Sequence, residues 1–101
     1  MIHVIAAITV REGCRSEFID IFNTNVPLVQ KEKGCIEYLP AVDVDTLLPP
    51  QKKEPQVVTV IEKWERLEDL YAHIQAPHMM AYQQKVKDLV EDVVLKVLTD
   101  A

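Results

Sequence analysis

Residues 56 to 65, QVVTVIEKWE, carry the strongest strand signal in the chain. The segment is rich in β-branched and aromatic side chains, which suit a pleated, half-buried surface. Alternation places Val58, Val60, Glu62 and Trp64 on one face. A second run, Ile2 to Val10, has the same character, with Ile2, Val4, Ala6, Ile8 and Val10 on one face. His3, Ile5, Ala7 and Thr9 take the other. Two such strands cannot cover an apolar face alone, so helices must pack on it.

The remaining segments supply those helices. From about Arg15 to Glu32, Phe18, Phe22, Asn25 and Val29 fall on one helical stripe, with Ile19, Ile21 and Val26 beside it. Pro27 removes a backbone hydrogen bond and predicts a kink near Thr24. Gly34 is the expected C-terminal cap. Cys35 to Val44 reads as a second strand, and Pro40 assigns it to a sheet edge or a bulge. Residues 45 to 55, DTLLPPQKKEP, are a loop. Leu67 to Gln75 predicts a short helix with Leu67, Leu70, Tyr71 and Ile74 inward. Pro77 starts another helix at its favoured first position. That helix is expected to bury Met79, Tyr82, Val86, Leu89 and Val93, and Val94 to Thr99 to close the chain as a strand. The order is β-α-β-β-α-α-β. It predicts one α+β domain over residues 1–101, a four-stranded antiparallel sheet with helices on one face.

The 101 residues carry a formal charge of -5, which disfavours nucleic acid or an anionic membrane as partner. No apolar run approaches the ~20 residues of a membrane span. The start, MIHVIAAITVREG, has no basic leader, so a cytoplasmic location is expected. Cys14 and Cys35 flank the first helix, too far apart to bridge, and are expected to be free thiols.

Two of the three histidines lie in LYAHIQAPHMMAY, residues 70 to 82. On one straight helix, residues five apart point about 140° away from each other. That spacing disfavours a metal pair, and nothing nearby completes a ligand set at a recognised spacing. Because Pro77 breaks the helix, His73 falls at one helix end and His78 in the next first turn. The plain reading of His73 is a helix C-terminal cap, and of His78 a solvated residue. Asn25 on an apolar stripe needs a hydrogen-bond partner, at a cost of about 1–3 kcal/mol without one. Glu62 shares its face with Val58, Val60 and Trp64, where it is either a solvated carboxylate at the strand's end or a partly desolvated one, and desolvation would raise its pKa toward general-base work. Trp64, Tyr38 and Tyr82 read first as core residues, and His3 as a surface residue at a strand start.

Taken together, IHVIAAITVREGCRSEFIDIF, KEKGCIEY, VIEKWERLEDLYAHIQAPHMMAY and VVLKVL resemble the antibiotic biosynthesis monooxygenase domain, in its quinol-monooxygenase-like and autoinducer-processing branches. The most specific part is Glu62 and Trp64 followed by a short helix with His73, Pro77 and His78. The resemblance implies a ferredoxin-like domain that pairs through its sheet into a dimeric α/β barrel. It implies oxidation of a small aromatic quinol or phenol by molecular oxygen, with no metal, flavin or haem cofactor. The site it implies has His73 as proton acceptor, Glu62 orienting it and Asn25 donating to a developing oxyanion. Trp64, Tyr82, His78 and His3 are the candidate substrate-binding residues.

Related branches that degrade haem carry an Asn, a Trp and a ligating His where this chain has Ala7, His73 and Gln83, so haem is disfavoured. The proline-bearing loop at 45–55, with Lys52 and Lys53, is a second departure. Two other functions fit the same resemblance. One is isomerisation of a small phosphorylated signal molecule, which needs a cationic site near the cleft. The other is a non-catalytic dimeric ligand-binding or stress-response module.

Overall fold

The computed structural model describes residues 1–101. Its elements are β1 (Ile2–Val10), α1 (Arg15–Gln30), β2 (Cys35–Ala41), β3 (Val57–Trp64), α2 (Leu67–Ile74), α3 (Pro77–Val86) and β4 (Val90–Thr99). The order is the one expected, and the fold is α+β. All pairs are antiparallel, in the spatial order β2-β3-β1-β4. Pro40 therefore sits in an edge strand, where its missing N–H costs no ladder bond.

The alternation expected for β1 and β3 is observed. Val4, Ala6, Ile8 and Val10 are buried, as are Val58, Val60, Glu62 and Trp64. The α1 stripe of Phe18, Phe22, Asn25 and Val29 packs on them. Fully burying a side chain such as Phe18 or Val29 stabilises by about 1.5–3 kcal/mol. Phe22 stacks on Tyr38, with centroids 5.2 Å apart, and meets Tyr82 edge-on at 5.7 Å. This aromatic cluster joins α1, β2 and α3.

Four expectations need correction. First, α1 stops at Gln30 with Lys31 as its cap, so Gly34 does not end it. Gly34 instead takes φ 79° in the turn before β2, and its carbonyl accepts the Glu65 N–H at 2.9 Å. Second, β2 ends at Ala41, because Asp43 and Val44 are drawn into loop bonds with Glu54 N–H (2.6 Å) and the Gln51 amide (2.6 Å).

Third, α2 buries Asp69, Leu70 and His73, whereas Tyr71 is 57% and Ile74 47% exposed. The helix is turned so that its polar i, i+4 pair faces inward, because His73 finds partners there. Fourth, α3 stops at Val86, and the helix-like spacing of Val86, Leu89 and Val93 is not followed. A turn bond from Leu89 N–H to Val86 O leads into β4, which pairs with β1 from Val90 onward. Pairing offers the backbone of this valine-rich segment a full ladder, which outweighs its local helical period.

Candidate active site

A cavity of about 440 Å³ lies between the sheet and the helices, within the ~300–1,000 Å³ typical of small-molecule sites. Of its 19 lining residues 15 are hydrophobic, which suits an apolar ligand. Val4, Ala6, Ile8 and Val60 form the floor, and Phe22, Tyr38 and Tyr82 an aromatic wall. Along β4 the cavity is open: Val93, Leu95 and Val97 line it, yet are about half exposed, at 49%, 56% and 47%.

Only a few polar side chains reach this cavity. His73, 3% exposed, comes from the last turn of α2. Its ring lies 4.7 Å from the Trp64 ring and 5.3 Å from that of Tyr38. Nδ1 is bonded to the Glu32 carboxylate, at 2.9 Å from Oε2. Nε2 takes no hydrogen bond within the chain, and the residue lines the cavity. Glu62 lines the cavity from β3 and accepts the Trp64 Nε1–H at 2.9 Å. Burial pushes the Glu62 carboxyl above its ordinary value, while the Trp64 bond and the His73 imidazole pull it back. Burial, with Glu62 nearby, pushes both the Tyr38 and Tyr82 phenols up, so both stay protonated and can donate.

The other sequence candidates fall elsewhere. Asn25 is buried but bonds the Met79 sulfur at 3.3 Å. It faces, with His78 and Tyr82, a smaller recess between α1 and α3. Trp64 lies behind His73 rather than in the cavity wall. His78 Nε2 is bonded to Glu32 Oε2 at 2.7 Å. His3 belongs to the opposite face of β1 and is paired with Asp100 at 2.8 Å. The cavity thus gathers His73, Glu62 and Tyr82, and not Asn25, Trp64, His78 or His3.

Sequence reasoning missed Glu32. The spacing argument showed the histidines diverging on one helix, but the break at Pro77 lets both reach one carboxylate. A lone Glu at a helix end gives no local signal of this. No group of three His, Cys, Asp or Glu side chains is arranged to hold a metal ion. Cys35 is a free thiol, and burial, with Glu32 and Glu62 beside it, pushes its pKa up, against a nucleophilic role. Lys53 pairs with Asp45 at 3.0 Å and Lys52 approaches Glu54 at 3.7 Å, so the loop lysines stay within their loop.

The Glu62 shift has a testable consequence. A carboxyl raised in the folded state contributes stability below its unfolded value, which is lost as pH rises through the folded value. Glu62→Gln keeps the acceptor for Trp64 and removes the titration. The stability of the variant relative to wild type should therefore improve as pH rises from the ordinary glutamate value, about 4, toward neutrality in urea unfolding. A difference flat across that range would show that Glu62 carries no burial penalty.

The chain is thus an α+β domain enclosing an apolar cavity, with one imidazole, two phenols and one carboxyl group in its wall. The family model for antibiotic biosynthesis monooxygenase matches residues 1–85, and the chain belongs to that family. The probable quinol monooxygenase YgiN of Escherichia coli (strain K12) is 40% identical over 100 residues, covering 97% of this chain and 96% of the relative. The fold matches a conserved protein from Methanosarcina mazei Go1, with TM-score 0.84 and 20% identity over 99% of this chain and 92% of that one. Rv0793 from Mycobacterium tuberculosis matches with TM-score 0.81 and 22% identity over 99% and 94% of the two chains. The resemblance read in the sequence is thus confirmed at the level of family and fold. No helix is long and apolar enough to cross a membrane.

Proposed function

We propose that the chain is a monooxygenase acting on a small aromatic quinol with molecular oxygen, and that His73 Nε2 removes the phenolic proton. The observation that carries this is an apolar cavity of quinol size with one imidazole nitrogen left to it. A neutral imidazole takes up a proton near neutral pH, and a deprotonated quinol gives electrons to oxygen far more readily than the neutral form. The Tyr82 phenol, held protonated, donates to the developing oxyanion. The apolar floor excludes water around the reacting ring. In the overall reaction a quinol and one oxygen molecule give a hydroxyquinone and water. The quinol supplies all four electrons. The 40%-identical relative, named for quinol oxidation, supports the substrate class.

The reading includes a homodimer. On the helix-free face of the sheet, Leu39, Ile61 and Ile5 stand side by side across β2, β3 and β1. Val94 and Leu98 on β4 join that face and are 56% and 45% exposed. An apolar sheet face left in water is a liability that a second copy would remove. The isomerase reading has one cationic group at the cavity, Lys87, against the largely apolar lining.

The test is an oxygen electrode with a panel of hydroquinones and anthrones, run on protein whose mass has been set by light scattering. The expected results are a mass of twice 11.6 kDa, uptake above autoxidation, and no oxygen returned on adding catalase. Oxygen returned by catalase would mean peroxide release, hence an oxidase. No uptake with any substrate would remove the monooxygenase reading, and a monomer would remove the dimer.

A further inference from the structure

We propose that Glu32 is the positioning residue of this site: its carboxylate accepts an N–H from both His73 and His78, and so holds His73 in the tautomer whose Nε2 lone pair faces the cavity. The inference rests on the reading of His73 as the proton acceptor.

One oxygen carries the geometry. Glu32 Oε2 lies 2.9 Å from His73 Nδ1 and 2.7 Å from His78 Nε2. An ionised carboxylate only accepts, so each ring nitrogen bonded to it must carry its hydrogen. A neutral His73 with a proton on Nδ1 has none on Nε2. The nitrogen left to the cavity is then a base rather than a donor. The Glu32 side chain is 14% exposed, and a carboxylate that far from water needs donors to offset its lost hydration. His73 and His78 supply them.

The carboxylate itself is held from two sides. Its backbone lies in the turn after α1, where Glu32 N–H donates to Val29 O at 2.9 Å and Cys35 N–H donates to Glu32 O at 3.2 Å. His78, in the first turn of α3, prevents the carboxylate from swinging toward solvent. Glu62, the other acid near His73, is engaged by Trp64 and does not compete for Nδ1. The cluster ties together the end of α1, the end of α2 and the start of α3. Pro77 is what allows this, because it ends one helix direction and starts another between the two histidines.

The test compares two-bond ¹H–¹⁵N spectra of the ¹⁵N-labelled protein with those of Glu32→Gln and Glu32→Asp, in alkaline buffer where free imidazole is neutral. Wild type should show His73 as a single tautomer with Nε2 unprotonated. A glutamine amide has one accepting oxygen and a donating nitrogen, so it cannot accept from both rings. In Glu32→Gln the His73 signals should move toward the averaged pattern of free imidazole. Quinol turnover should fall on the order of a hundredfold, less than the ~10⁴-fold of a triad acid that loses control of its tautomer, with KM within about twofold. Glu32→Asp, which keeps the charge, should recover part of the loss.

Wild-type His73 found with Nε2 protonated would overturn the inference, whether or not Glu32→Gln folds. An unchanged His73 tautomer in Glu32→Gln would overturn it too. Turnover lost in His73→Ala but kept in Glu32→Gln would overturn this inference alone. Turnover kept in both variants would overturn the base assignment with it.

Discussion

His73→Ala should lower kcat/KM for quinol oxidation by about a hundredfold to ten-thousandfold, the range spanned by positioned acid–base groups. The imidazole is the only nitrogenous base among the cavity-lining side chains whose ordinary pKa lies near neutrality. Glu62 is the other candidate acceptor, but its carboxylate is already bonded by Trp64. The substitution leaves an imidazole-sized space bordered by Trp64 and Tyr38. Added free imidazole should therefore enter and restore part of the rate, which a merely structural loss would not allow. Urea unfolding of the variant separates the two effects. A rate equal to wild type in a folded variant would make His73 a structural imidazole, as its plain sequence reading had it.

Gly34→Ala should reduce the unfolding free energy by about 3 kcal/mol. Two costs combine. At φ 79° an alanine pays roughly 1–2 kcal/mol of left-handed strain. A Cβ there would also overlap the Asp69 carboxyl group and come within 2.8 Å of Asp69 Cβ. The carboxyl end could rotate, but the Asp69 Cβ is fixed to α2, so the helix itself must move. Asp69 is 5% exposed, and its Oδ2 has no partner in the chain. Pushing this packed group and its helix aside adds roughly 1–3 kcal/mol of overpacking strain. In an Asp69→Ala background the clash with the carboxyl is gone, so Gly34→Ala should cost less there. A urea-denaturation double-mutant cycle reads this directly. Equal costs in both backgrounds would show that the carboxyl overlap contributes nothing, leaving the backbone strain and the contact with the residue-69 Cβ, which alanine keeps.

The same turn carries the link between stability and site. Gly34 lies two residues from Glu32, and α2, which carries the buried Asp69 against Gly34, carries His73 four residues on. A shift of α2 would move the imidazole relative to the carboxylate. Gly34→Ala is therefore expected to reduce activity as well as stability.

Much of this was legible in the sequence. The alternation of Val58, Val60, Glu62 and Trp64 placed a carboxylate and an indole on the buried face, where both are found. The α1 stripe placed Asn25 among buried residues. Pro40 marked an edge strand or a bulge, of which the edge is found, and Pro77 the start of a helix. Each follows from a local period or a local backbone constraint, which a sequence states directly.

What failed to show was of a different kind. Tyr71 and Ile74 fit an apolar helical stripe, but α2 turned its Asp69 and His73 inward, because Glu32, the partner of His73, lies on the α1–β2 turn. Leu89 and Val93 fit a helix, but the β1 edge was open to them. Asn25 was expected to face the ligand and met a methionine sulfur instead.

The sequence by itself determined the order of elements, the buried face of each central strand and the family. The tertiary structure alone decided that Glu32 joins His73 and His78, which lie 41 and 46 residues further on. The reason is physical. Faces follow from the repeat of the backbone, which is the same everywhere, whereas a contact between distant side chains depends on how three helix ends pack. That packing is set by the whole core at once.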